Sequence, residues 1–100
     1  MTPVDTEANI ASEWFFTAGD AALAHVPGEQ RPPHALDLLT FCVLVLRNGF
    51  TVTGESACAS PENFDADVGR KIARANAVNK VWPLMGYELR TRLAGAASPD

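Results

Sequence analysis

Apolar and polar positions divide the chain into four zones. From Pro3 to Thr17, Ile10 pairs with Trp14 and Ala11 with Phe15 at i, i+4 spacing, which predicts a short amphipathic helix. Thr2 is placed to cap it, and Pro3 suits its first position. Ala18 to Asp37 breaks that rhythm. Three of the seven prolines fall there, with Gly19 and Gly28. The stretch reads as a loop with a helical turn at Ala21–Ala24. It is long for a compact domain, and such loops are usually functional or mobile.

The third zone carries the strongest local signal. Leu39 to Arg47 is apolar and rich in β-branched residues, and Phe50 to Cys58 alternates in type. Asn48-Gly49 between them predicts a two-residue type I′ hairpin turn, with φ > 0 at both positions. That turn sets Arg47 opposite Phe50, Val45 opposite Val52, Val43 opposite Gly54 and Phe41 opposite Ser56. One face then carries Phe41, Val43, Val45, Phe50 and Val52, and a helix is expected over it. The other carries Cys42, Leu44, Leu46, Thr51, Thr53 and Glu55. Cys42 and Cys58 point to opposite faces in this register, so they cannot join in a disulfide. Both read as buried thiols.

The fourth zone is helical. Ser60-Pro61-Glu62-Asn63 supplies a capping hydroxyl, a proline at the first position and an acid in the first turn. Phe64, Val68, Ile72, Ala75 and Asn79 follow at helical spacing, extended by Val78 and Trp82. Pro83 is expected to break or kink the helix. A second short helix from Pro83 to Leu93 carries Leu84, Tyr87, Leu89 and Leu93. Ala94 to Asp100 reads as a frayed tail. The organisation is therefore 1–17 N-terminal helix, 18–37 loop, 38–93 hairpin-helix core and 94–100 tail.

The chain has 100 residues, enough for one small domain. Hydrophobic residues are 47%, an ordinary globular share. The formal net charge is −4. This balance excludes general DNA binding, which needs cations to meet phosphates. Two cysteines cannot build the framework of a secreted mini-protein. No apolar run approaches the ~20 residues of a membrane span. The acidic start Val4-Asp5-Thr6-Glu7 is unlike a secretory signal, so a cytoplasmic location is expected.

Leu46-Arg47-Asn48-Gly49-Phe50-Thr51-Val52-Thr53-Gly54-Glu55-Ser56-Ala57-Cys58 runs into Ser60-Pro61-Glu62-Asn63-Phe64-Asp65. It continues through Gly69-Arg70-Lys71-Ile72-Ala73-Arg74 to Trp82-Pro83-Leu84-Met85-Gly86-Tyr87. This block resembles the small tailed-phage family named for gene-49 and gene-66 products of enterobacterial phages. The likeness covers roughly residues 38–93, and more loosely Trp14 to Ala18. It implies a phage or prophage setting in a bacterial host and no particular reaction. A hairpin with helices, assembled as an oligomer, also resembles the phage sponges that sequester cyclic nucleotide signals of bacterial immunity.

No catalytic set is legible. Gly54-Glu55-Ser56-Ala57-Cys58 has Cys58 where a nucleophile elbow needs glycine, and it lies inside a strand. His25, His34, Cys42 and Cys58 have no metal-ligand spacing. Neither an enzyme nor a cofactor is expected. Binding chemistry is more visible. Arg70, Lys71, Arg74 and Lys80 are half of the eight cations and lie on one helix. They read either as a solvated face or as a local anion site. Ser60 and Asn63 sit where helix N-terminal amides could hold an anion, or simply cap the helix. Phe50, beside the turn and across from Arg47, is the aromatic best placed to stack on a base.

The expected fold is α+β: a short N-terminal helix, a two-stranded antiparallel hairpin and a long kinked C-terminal helix. A lone hairpin is marginal in water. Its mixed second face and free edges predict self-association as a two-fold dimer. Two functions follow. The first is sequestration of a small anionic nucleotide, such as a cyclic ADP-ribose-type or cyclic oligonucleotide immune signal. Its ligand-binding residues would be Arg47, Phe50, Ser60, Asn63, Arg70 and Arg74. The second is a protein-interaction module that docks on a host or phage protein through the apolar hairpin face or the long loop.

Overall fold

The computed structural model describes residues 2–28 and 30–97. In chain order it has α1 (Pro3–Ala8), β1 (Ile10–Thr17), α2 (Ala18–Leu23), a 3₁₀ turn at His34–Leu38, β2 (Leu39–Leu46), β3 (Thr51–Ala57), a 3₁₀ turn at Pro61–Asn63, and α3 (Ala66–Ala97). The strands form one antiparallel sheet in the order β1-β2-β3. The α+β class holds, but the sheet has three strands and not two.

The third strand comes from the segment expected to be helical to Thr17. Thr2 and Asp5 form a capping box that starts α1. The helix nevertheless stops at Ala8, and the backbone is extended from Ile10. Spacing of four fits an alternating strand as well as a helix, and Trp14, Phe15, Phe16 and Thr17 favour a pleated surface. Pairing with β2 decides between the two, because it satisfies an edge the hairpin alone would leave open. Within the following loop, Thr17 and Asp20 form a second capping box, so α2 starts three residues before the expected turn.

The hairpin itself is displaced by one residue from its expected register. Leu44 opposes Val52, Cys42 opposes Gly54 and Thr40 opposes Ser56. The connection has three residues, Arg47-Asn48-Gly49. The Gly49 amide donates to the Leu46 carbonyl at 2.9 Å, and the Leu46 amide donates to the Phe50 carbonyl at 2.8 Å. Of these three residues only Gly49 has positive φ, at 89°. This is a type I turn closed by a left-handed glycine, the three-residue alternative to the two-residue loop. A one-residue shift moves every side chain of one strand relative to its partner. The face that packs is therefore Cys42, Leu44, Leu46, Val52 and Gly54, and Phe41, Val43 and Val45 lie on the other. The cysteines remain free, Cys42 buried and Cys58 half-buried.

α3 lies on the packed face. Its buried residues are Gly69, Ala73, Ala77 and Val81, four apart. Ala73, Ala77 and Val81 meet Cys42, Leu44, Leu46 and Val52, with Ile10, Phe15, Val78 and Met85 at the margin, and Gly69 sits against Thr40. The expected stripe through Val68, Ile72 and Ala75 is instead exposed. Close approach explains the choice. A Cβ on Gly54 would overlap the Ala73 carbonyl oxygen and the Ala77 amide nitrogen, so only a glycine in the strand and small residues on the helix let the two backbones come this near. The Asn76 amide fixes the seam by donating to the Glu55 carbonyl at 2.8 Å.

Pro83 does not end the helix. α3 runs unbroken through it from Ala66 to Ala97, and the expected second helix and the start of the tail are its continuation. Residues 98–100 of that tail lie outside the described residues.

Candidate binding surfaces

The six expected ligand residues do not gather within one chain. Arg47 and Phe50 are at the turn end of the sheet, whereas Ser60, Asn63 and Arg70 lie toward the other end. Eight-residue β2 separates these ends by about 26 Å. Arg47 has a structural task. Its amide donates to the Asn9 carbonyl at 2.9 Å and its Nε to the Ala8 carbonyl at 3.0 Å. A cation at the C-terminal end of α1 suits the helix dipole. Phe50 stands beside it, 55% exposed.

Ser60 does not cap α3. The segment Pro61–Asn63 forms its own turn, and Asp65 is the cap. The Asp65 carboxylate accepts from the amides of Asp67 at 2.9 Å and Val68 at 3.3 Å. Those amides are thus not free for an anion. Asn63 lines a groove of about 400 Å³ with Ser56, Cys58, Phe64, Val68 and Ile72.

The basic helix face is largely committed. Arg74 joins three elements. Its Nε donates to Glu13 of β1 at 2.7 Å, and its Nη2 to Glu7 of α1 at 2.7 Å. The bonded guanidinium holds the Glu7 carboxyl below its usual range, and the two carboxylates push the Arg74 pKa up. Arg70 pairs with Asp67 one turn away. Arg70 and Lys71 still border, with Phe15, a shallow groove of about 340 Å³. Asn79, expected near the packed stripe, is exposed.

The sheet face away from α3 carries the Phe41, Val43 and Val45 of the expected apolar hairpin face, but it is open where a helix was expected over it, and β1, which sequence reasoning missed, widens it. Trp14 is 62% exposed there. Phe16 stacks on Phe41 with ring centres 5.7 Å apart. Val43 pairs with Trp14 across β1–β2, and Val45 follows two residues on. Both valines are half-buried. Thr51, Thr53 and Glu55 line the exposed margin on β3, and Trp14 Nε1 donates to Ser12 Oγ at 3.1 Å. The available signal was the run of β-favouring residues Trp14–Thr17, hidden because Ile10, Ala11, Trp14 and Phe15 also fit helical spacing.

A family model described as "Phage protein (N4 Gp49/phage Sf6 gene 66) family" matches residues 1–93. No curated protein and no solved structure matches the chain. Among the described residues, no helix is long and apolar enough to cross a membrane.

Proposed function

The chain belongs to the N4 Gp49/phage Sf6 gene 66 family of phage proteins, and on that footing we propose that it is a binding module without catalytic activity, working through its open sheet face on a host or phage protein in the bacterial cytoplasm. The observation that carries this reading is the contiguous strip Trp14, Phe16, Phe41, Val43 and Val45 on a face that α3 does not cover. Exposed apolar patches rimmed by polar groups mark interaction sites. The rim here is hydroxyl-rich, so the matching partner offers an apolar strip edged with hydrogen-bonding groups.

Photocrosslinking in infected cells tests it. A crosslinker at Thr53 is expected to trap one discrete species that a crosslinker at Glu62 does not. Trp14→Thr, which keeps a strand-favouring residue at a 62% exposed position, is expected to abolish that species while leaving the melting temperature near the parent's. Equal capture from both positions refutes the reading.

Sequestration of a small anionic nucleotide is favoured by one observation, the groove where Phe15 stands beside Arg70 and Lys71. A thermal-shift screen of cyclic nucleotides is its test. A ligand at 100 times its Kd adds about 2.7 kcal/mol, and Arg70→Glu should remove the shift.

A further inference from the structure

Where Thr17 pairs with Thr40, β1, β2, α2 and α3 border a pocket of about 280 Å³. Thr40 belongs to the packed face of β2 and is 4% exposed. Gly69 of α3 packs on it, and a Cβ there would lie 3.0 Å from Thr40 Oγ1. That hydroxyl bonds to no other group of the chain. Among the described residues no fully enclosed side-chain oxygen or nitrogen lacks a partner, so the Thr40 oxygen draws on the pocket it lines. Ligand pockets place a few such polar groups on a mainly apolar lining to fix orientation. Phe15 and Phe64, both half-buried, supply the apolar lining here. Two opposite charges border the same pocket, Asp20 of α2 and Arg70 of α3, and no other charged residue does. Each keeps bonding capacity. Asp20 Oδ2 accepts from the Thr17 amide at 3.3 Å and leaves Oδ1 unbonded. Arg70 spends Nη2 on Asp67 and leaves Nε and Nη1.

We propose that this pocket binds a free α-amino acid with an apolar side chain. Arg70 takes the carboxylate, Asp20 takes the ammonium, the Thr40 hydroxyl donates to the carboxylate, and the side chain lies against Phe15 and Phe64. The charges select this class. A simple anion would meet Asp20 and a simple cation would meet Arg70, whereas a zwitterion satisfies both. A charged side chain would add a third charge with no partner in the lining. Size narrows the choice further, because about 280 Å³ is at the foot of the ~300–1,000 Å³ usual for ligand pockets. Of the open sheet strip only Phe16 also borders this pocket, so the protein-binding reading does not depend on it. Phe15 and Arg70 are shared with the groove of the nucleotide reading, which makes a cyclic nucleotide the competing probe.

Two-dimensional amide NMR of the full chain, titrated with L-phenylalanine, tests the proposal. The Asp20, Thr40 and Arg70 signals are expected to shift saturably, with a Kd below about 1 mM. Phenethylamine and 3-phenylpropionate each lack one of the two charges, and each is expected to bind about tenfold more weakly or worse. Arg70→Gln should weaken L-phenylalanine by a similar factor and leave phenethylamine unchanged. Asp20→Asn keeps a side-chain oxygen at the start of α2, and should weaken L-phenylalanine while leaving 3-phenylpropionate unchanged. Thr40→Val should cost about tenfold in affinity and leave the melting temperature at or above the parent's, because the hydroxyl holds no bond within the fold. A parent with no saturable shift up to about 1 mM overturns the proposal. So does either analogue binding as tightly as L-phenylalanine, or a cyclic nucleotide shifting these signals where L-phenylalanine does not. A Thr40→Val variant that melts lower, or binds as the parent does, overturns it as well.

Discussion

Gly54→Ala adds one methyl group where β3 meets α3, and two effects of opposite sign follow. Alanine loses less backbone entropy on folding, which favours the variant by about 0.5–1 kcal/mol. Against that, the new Cβ would coincide with the Ala73 carbonyl oxygen and the Ala77 amide nitrogen, and lie 2.8 Å from Ala77 Cα. These are backbone atoms and have no rotamer by which to move aside. α3 must retreat by roughly 1 Å, and a gap of 0.5–1 Å forfeits a quarter to a half of each dispersion contact. Leu44, Leu46, Val52 and Val81 face one another across this seam. At ~1.5–3 kcal/mol per buried side chain they represent about 6–12 kcal/mol, so the loss is about 2–5 kcal/mol. The net effect is destabilisation by about 1–4.5 kcal/mol, a large part of a small domain's stability. Thermal unfolding followed by circular dichroism should show the melting temperature falling by at least about 4 °C. Adding Ala77→Gly should not rescue it, because the obstructing atoms are backbone. Glu55→Ala on the exposed face is the control, with an effect within ~0.5 kcal/mol. A Gly54→Ala variant melting within ~3 °C of the parent would refute the close-approach argument.

Gly49→Ala meets no atom within 4 Å, yet φ is 89°, so pure backbone strain of about 1–2 kcal/mol is expected in urea unfolding. Gly49→Val should cost more, since a branched Cβ tolerates positive φ least. Arg74→Glu would set three carboxylates together at α1, β1 and α3, and is expected to lower the melting temperature clearly. Arg70→Glu, which loses only an exposed pair with Asp67, should barely move it. The folded pKa of Glu7 lies below its ordinary 4.5. Its contribution is therefore complete above that pH and is lost as pH falls through the lowered value. The gap in melting temperature between parent and Glu7→Gln should be visible at pH 6 and shrink below pH 4.5, with a ceiling of ~1 kcal/mol for so exposed a pair.

The hairpin strands and the long helix were legible because their signals are local: β-branched runs around Asn48-Gly49, and a proline-led helical pattern. What escaped was set at a distance. The segment Ile10–Thr17 satisfies two periodicities, and only β2 chooses between them. Asn48-Gly49 serves a two-residue or a three-residue turn, and the choice reverses the packed face. The helix stripe went the same way. Large apolar residues at Val68 and Ile72 looked like the core-facing set, but the strand offers glycine there, and the helix answers with Gly69, Ala73 and Ala77. Of the six candidate site residues, positions could be read but commitments could not. Arg47 and Arg74 are cations in sequence and structural ties in space.

The glycine seam bears on the order in which the molecule assembles. An isolated hairpin of this sequence has two competing turns, and the two-residue form would turn Thr51, Thr53 and Glu55 toward the helix side in place of Val52 and Gly54. A glutamate and two threonines there leave α3 nothing to seat on. Docking of the helix is thus expected to select against the slipped hairpin, with β1 closing the remaining edge afterwards. Folding should proceed through a hairpin–helix nucleus, with β1 and α1 joining late, so substitutions at Ala77 would slow folding while those at Phe15 would mainly speed unfolding.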